Sequence, residues 1–379
     1  MIFKNAFVFK EDNNFYIDNI YIKEDLFVGE DSLKDSQIDA TGLYAIPGLI
    51  DIHFHGANGY DFCDATNESL SEISKYEALH GVTGICIASM SLAFYELKKI
   101  MQNANLFYNK KREENEADFL GINMEGPFLS KEQKGAQNEK YLIDINYDFY
   151  KELQDISGNI IKIVDIAPEI SPSEDFIKKV SKEIVVSLAH TNCDYDKAIE
   201  AFNYGASHIT HLYNAMPSLH HRKPGIISAA FDKKNIKVEI ITDGVHVSSP
   251  MIRLALQIFG EDNVIIISDS LRQTGLNYGE FDFTNQKVIV KNNACYLLNN
   301  TLAGSITNLY DCMKYAIKEA KIKKEIAIAM ATKNPAKEIG VYDKYGSIEI
   351  GKVANFILVD EKMNIQKIIL RGKIIFNRQ

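Results

Sequence analysis

The chain has 379 residues, 46% hydrophobic and 25% charged, with a formal net charge of −9. This balance fits a globular protein with a large core and excludes a general nucleic-acid binder, which needs a basic face. A small anionic ligand stays open, since a few local cations suffice for it.

No run approaches the ~18 apolar residues of a membrane span. The opening MIFKNAFVFKEDNNFYI is broken by Lys4, Lys10 and a polar turn, so no signal-peptide core is expected there. Residues 1–45 read as short strands (FVF, NFYIDNIYI, LYAI) separated by turn signals. From residue 46 an apolar run followed by a helical stretch recurs eight times. The runs are IPGLIDIHFH, VTGICIASM, FLGINME, IIKIVDIAP, EIVVSLAH, SHITHL, IKVEIITDG and NVIIISD. Intervening stretches such as ATNESLSEISKYEALHG and DYDKAIEAFNYG begin near Asp, Asn or Ser and end at Gly, as helix caps do. The charge run KKREENEAD (110–118) is expected to be a solvated helix end and loop. After the eighth run, EFDFTNQKVIVKNNACYLLNNT reads as an inserted hairpin, and the last residues, GSIEIGKVANFILVD and IQKIILRGKIIF, return to strands.

Near-continuous apolar strands imply a parallel sheet buried on both faces. Eight β-α units in about 270 residues fit a (β/α)8 TIM barrel. A doubly wound sheet is the alternative, but no G-x-G-x-x-G follows the first strand. The expected organisation is α/β: a barrel over 46–340, with a small β-sandwich domain built from 1–45 and 341–379. The five cysteines, at 63, 86, 193, 295 and 312, lack C-x-x-C spacing and read as reduced thiols of a cytoplasmic protein.

A barrel's active site lies at the carboxyl ends of its strands. There the first run ends in His53 and His55, the third in Glu125, the fifth in His190, the sixth in His211 and the eighth in Asp269. The seventh leads into Asp243 and His246. Four imidazoles and two carboxylates aimed at one point suit Zn, Fe, Mn or Co, one or two ions per subunit, better than Mg or Ca. Glu125 is the natural bridge between two ions, and Asp269 the acceptor for a proton from water. His80 and His208 are expected to be structural, His220 and His221 surface residues, and Cys193 a bystander in a turn.

These segments resemble a known family. PGLIDIHFHGANGYDF, MEGPFLSKEQKGA, LAHTN, THLYNAMPSLHHRKPG, TDGVHVSSP, ISDSLRQTG and TLAGS stand in the order found in the amidohydrolase superfamily, and within it in the N-acetylglucosamine-6-phosphate deacetylase family. The resemblance implies hydrolysis of the acetamide of a 6-phosphorylated amino sugar. It implies Glu125, His190 and His211 around the principal metal, His53 and His55 around a second, and Asp269 as general base and then acid. It places Asn214, Ala215 and Arg222 at the phosphate, and His246 in the substrate site. Arg222, and His246 with it, are expected to reach in from a neighbouring subunit of a homodimer. Gln137 stands where relatives carry a histidine that contacts substrate, and Asn355 where aspartate is usual; the latter is expected to touch only the small domain. Alternatives are the galactosamine epimer as substrate, another amidohydrolase acting on a cyclic amide, or a non-catalytic barrel scaffold. Cyclic-amide enzymes commonly use a carbamylated lysine as bridge, and the candidate bridge here is Glu125.

Overall fold

A computed structural model of the chain describes residues 1–30, 36–283 and 286–378. All eight apolar runs form strands of one parallel sheet. They are Leu49–Asp51, Val82–Ala88, Asp118–Met124, Ile161–Ile166, Val185–Leu188, His208–Ile209, Lys237–Ile241 and Val264–Ile267, each hydrogen-bonded to the next in chain order. First and last strands meet just past their ends, where Asp269 N–H donates to the His53 carbonyl (2.9 Å), so the sheet rolls into a barrel. Helices cover its outer face. Thr66 caps Asn67–Leu79 through the Ser69 amide, and Asp194 caps Tyr195–Tyr204 through the Lys197 amide.

The barrel interior is packed by branched side chains, among them Ile50, Ile52, Leu120, Ile163, Ile241, Ile265 and Ile267. Ala336 and Ile339 join this cluster from the helix Lys333–Glu338 and the turn after it. Asn334 donates to the carbonyls of Glu261 and Val264, at the start of the eighth strand, so this segment closes the amino-terminal mouth.

Both termini contribute to a second sheet. Its strands run in the order Lys373–Asn377, Ile365–Leu370, Phe356–Val359, Tyr44–Pro47, Ile2–Phe9, Phe15–Lys23, Leu26–Val28, with Gln37–Asp39 also paired to Ile2–Phe9. Four strand positions separate Phe27 from Phe356, about 19 Å in a flat sheet, yet their rings stand 5.9 Å apart. The sheet therefore curls into two layers around Phe3, Phe27 and Phe356. FILV (356–359) shows why a strand here is wholly apolar: Phe356 and Leu358 enter this inner core, while Ile357 and Val359 pack in the core shared with the barrel helices. Ile46 and Pro47 still pair in this sheet, opposite Ile357 and Phe356, and the chain passes to the barrel at Gly48. A Cβ at Gly48 would lie 2.1 Å from Thr83 Oγ1, which requires glycine at the crossing.

Two local expectations are corrected. The run 110–118 is an exposed loop at Lys111 and Glu113–Asn115, but its end is not solvated: Glu116 and Asp118 are buried, Lys110 pairs with Glu116, and Arg112 and Arg371 both pair with Asp118. Asn355 is not confined to the small domain: its Nδ2 donates to Asp118 Oδ2 (2.9 Å) while its Oδ1 accepts the Arg371 amide (2.7 Å). Asp118 begins the third barrel strand, so this polar cluster ties the two sheets together. The inserted hairpin is three antiparallel strands, Gly279–Phe283, Gln286–Lys291 and Ala294–Leu297; residues 284–285 lie outside the described residues. Among the described residues, no helix is long and apolar enough to cross a membrane.

Candidate active site

Six strand-end side chains meet at the carboxyl mouth of the barrel. Glu125, His190 and His211 form one group, and His53, His55 and Asp269 a second, each with ligand atoms within 4.8 Å of one another. His190 Nε2 lies 3.1 Å and His211 Nε2 3.3 Å from Glu125 Oε1, and the two nitrogens are 3.1 Å apart. The same oxygen is 3.5 Å from His53 Nε2, while Glu125 Oε2 is 3.5 Å from His55 Nε2, so Glu125 faces both groups. Asp269 Oδ1 stands 3.3 Å from His55 Nε2 and 3.8 Å from His53 Nε2.

This donor set fits a cation. Ligands about 2.1 Å from a tetrahedral metal stand about 3.4 Å apart, close to the spacings found. The ring nitrogens are also oriented for it. His190 Nδ1 donates to the Gln133 carbonyl (2.8 Å), His55 Nδ1 to the Ala88 carbonyl (3.2 Å) and His53 Nδ1 to Glu239 Oε2 (2.9 Å). Each ring thereby turns the lone pair of a neutral Nε2 inward, and buried His53 Nε2 has no hydrogen-bond partner among the described residues.

Backbone strain marks the same places. His190, His211 and Asp269 have φ of 43°, 32° and 48°, in the left-handed region that non-glycine residues avoid. Electrostatics are strongly coupled. Burial disfavours a charged His53, but Glu239 and Glu125 beside it hold the imidazole well above its ordinary pKa. Burial likewise opposes ionised Glu125, yet His190 and His211 against its Oε1, with the His53 imidazole close by, hold its carboxyl well below the usual range.

The site opens into a cavity of about 530 Å³ lined in part by Asn214, Ala215, Gln137 and His246. His246 belongs to the pocket of its own chain, which corrects its expected delivery from a neighbour. Its Nδ1 donates to Asp243 Oδ2 (2.7 Å) and its Nε2 to the Ala303 carbonyl (2.8 Å). Burial disfavours its charge, but Asp243 beside it raises its pKa above the ordinary value. Arg222 lies exposed in the loop after Pro217, outside this chain's pocket. Gln137 lines the pocket with its polar atoms bonded to protein: its Nε2 donates to Glu125 Oε2 (2.6 Å), and its Oε1 accepts the Ser91 amide (2.8 Å).

The remaining residues fall as follows. His80 donates to the Tyr76 carbonyl within its own helix end, and His220 and His221 stack on each other in an exposed loop. Cys193 is buried in a turn, its thiol pushed up to about 12 by burial, and belongs to neither ligand group. His208 also belongs to neither, but its structural role is larger than expected. It sits between Glu338 and Glu239, and although burial disfavours its charge those carboxylates raise its pKa to about 10. Glu239 was not singled out in the sequence, although a lone acid inside the apolar strand KVEII was a signal. Lys131, Lys134, Asn299 and Thr301 also line the pocket; they come from loops without periodicity.

Residues 44–375 match the model of the amidohydrolase family. Among relatives, the N-acetylglucosamine-6-phosphate deacetylase of Bacillus subtilis (strain 168) is 33% identical over 335 residues, 87% of this chain and 84% of its own length. The human enzyme of the same name is 28% identical, over 93% of this chain and 88% of its own. Among solved structures, that of N-acetylglucosamine-6-phosphate deacetylase from Pasteurella multocida superposes with a TM-score of 0.92 at 29% identity, over 99% of each chain. The Thermotoga maritima structure of that name gives 0.87 at 26% identity, over 100% of each.

Proposed function

Because the chain belongs to the amidohydrolase family and, within it, to the N-acetylglucosamine-6-phosphate deacetylases, we propose that it hydrolyses the acetamide of N-acetyl-D-glucosamine 6-phosphate to D-glucosamine 6-phosphate and acetate. The observation that carries this reading is the convergence of Glu125, His190 and His211, from three strands, at the floor of a 530 Å³ pocket beside His53, His55 and Asp269.

Glu125, His190 and His211 would hold one divalent ion. His53, beside the same Glu125 oxygen, and His55, facing the other, would offer a second position with Asp269, so the site would take one or two ions of Zn, Fe, Mn or Co. When bound, the metal lowers the pKa of coordinated water from about 15.7 towards about 7 and polarises the acetyl carbonyl. Asp269 accepts the proton of the attacking water. It then delivers that proton to the C2 nitrogen, which leaves as an amine because an amide anion is too poor a leaving group. The 2.9 Å bond from its amide to His53 and the 2.7 Å bond from the Ser305 amide to its carbonyl hold Asp269 in place.

The sugar phosphate lies against Asn214 and Ala215, with Lys131 and Lys134 at the pocket wall. His246 lines the same pocket, and its raised pKa favours a positive charge there. Arg222, exposed and outside its own pocket, serves the partner subunit's pocket in a homodimer, where its fork suits a phosphate. Five free thiols fit a reducing compartment, and the cytoplasm is the proposed location.

The test is acetate release by metal-loaded protein offered N-acetylglucosamine 6-phosphate and its galactosamine epimer. Turnover of the glucosamine compound is expected. Turnover of the epimer alone would move the substrate assignment, and no acetate from either, with metal bound, would overturn the activity.

A further inference from the structure

A TIM-barrel interior is ordinarily filled by aliphatic layers. Here a polar column runs through it from one mouth to the other. At the amino-terminal mouth Glu338 borders a second cavity, of about 500 Å³. His208, the first residue of the sixth strand, donates from Nδ1 to Glu338 Oε1 (2.9 Å). Its Nε2 lies 3.2 Å from Glu239 Oε1, off the hydrogen-bond line, and neither atom has a hydrogen-bond partner among the described residues. The other Glu239 oxygen accepts His53 Nδ1–H (2.9 Å) and the His211 backbone amide (3.2 Å). His208 and Glu239 are both fully buried.

Burying an acid–imidazole–acid row costs more than filling the space with isoleucine. What the row secures is at its upper end. An ionised carboxylate only accepts, so a neutral His53, the form a metal ligand must take, carries its hydrogen on Nδ1 and its lone pair on Nε2, facing Glu125. One oxygen thus fixes a ring on the first strand and the backbone of His211 on the sixth.

We propose that Glu239, braced by His208 and Glu338, is a positioning residue for the metal centre, setting the tautomer and aim of His53 and the seat of His211. This rests on the metal reading above. Glutamine at 239 has a single acceptor oxygen, so an acceptor can no longer face His53 and His208 at once. Glu338 lies at the opposite mouth and touches no candidate ligand, which separates bracing from direct disturbance of the site.

The experiment equilibrates the full-length chain with graded free Co²⁺, reading bound metal by elemental analysis and ligand geometry by visible absorption. Histidine-¹⁵N NMR of the same samples reports the tautomer of His53. Glu239→Gln is expected to bind Co²⁺ about 10- to 100-fold more weakly, and Glu338→Gln on the order of threefold more weakly. His53 is expected as the Nδ1–H tautomer in the wild type and as a mixture in Glu239→Gln, a change that loss of packing alone would not cause. Wild-type affinity, spectrum and tautomer in a folded Glu239→Gln chain would overturn the proposal. If that variant fails to fold, Glu338→Gln decides, and unaltered Co²⁺ binding overturns it. A wild-type chain that binds no Co²⁺ removes the metal reading itself, and this inference with it.

Discussion

Gly304 gives the sharpest test of how the proposed proton carrier is held. The structure places no positive φ at this residue, so alanine is allowed by its backbone; what it lacks is room. A Cβ there would stand 2.6 Å from the Asp269 carbonyl oxygen, 3.0 Å from Leu271 Cδ2 and 3.1 Å from Asp269 Oδ1. To restore tolerable contacts, Asp269 must retreat by about 0.4 to 0.8 Å, against a placement tolerance of about 0.5 Å for reacting groups. Its backbone cannot turn aside freely, since its amide and carbonyl are bonded to His53 and Ser305. A full ångström of misplacement costs about 10²-fold in rate, so Gly304→Ala should lower kcat about 10- to 100-fold, or roughly 1.4–2.7 kcal/mol of barrier. Metal content should be unchanged, because no Glu125, His190 or His211 atom is among the contacts. Gly29→Ala is the control, with no positive φ and a nearest neighbour at 3.8 Å; it should match wild type. Steady-state acetate release with metal analysis on the same samples settles it. A folded, metal-replete Gly304→Ala chain with wild-type kcat would refute the reasoning.

Other outcomes can be checked in parallel. Asp269→Asn should retain metal by elemental analysis while kcat falls about 10²- to 10⁴-fold; undiminished turnover would remove it from the proton path. Asp118→Ala leaves the partly exposed Arg112 and Arg371 without their shared partner, and should cost about 2–4 kcal/mol in urea unfolding; a change under about 0.5 kcal/mol would show that the inter-sheet cluster is inert. His208, raised from 6.5 to about 10, adds stability that is fully present below pH 6.5 and lost as pH rises through about 10. Urea unfolding of metal-free protein across that window should show the decline in wild type and a flatter profile in His208→Gln. Gln137→Glu sets a second carboxylate 2.6 Å from Glu125, a repulsion that a bound cation relieves. The rise in Tm on adding metal should therefore exceed that of wild type, and equal rises would count against a cation at Glu125.

The eight barrel strands were legible because each is buried on both faces and so reads as an unbroken apolar run. The ligand groups were legible because strand ends are where such a barrel concentrates chemistry. The second sheet was legible as a small sandwich built from both termini, but not its strand order or the meeting of Phe27 with Phe356 across most of the chain length. What misled was local. IPGLIDI reads as one strand, yet Ile46 and Ile50 serve different sheets, and only the contact of Gly48 with Thr83 marks the break. KKREENEAD looks solvated because its partners, Arg371 and Asn355, lie about 240 or more residues away. Asn355 was misplaced for the same reason. The partners of Gln137 were hidden in the same way, since the Ser91 amide that takes up its oxygen lies 46 residues earlier.

The six converging side chains are aimed in two physically different ways. His53 and His55 follow directly on the first strand, Leu49–Asp51. Together with Glu125 they take no positive φ. His190, His211 and Asp269 are turned toward the axis by left-handed backbone, at a cost on the order of 1–3 kcal/mol each. Each of the three is pinned from outside its own strand: the His190 carbonyl by the Ser130 amide, the His211 amide by Glu239, and Asp269 by His53 and Ser305. Pinning groups belonging to other strands and loops can hold strain only when the whole barrel is assembled. The strained residues are therefore set by closure of the barrel rather than by their local sequence. A fragment lacking the eighth strand should lose the His53–Asp269 contact, and with it the geometry of both ligand groups.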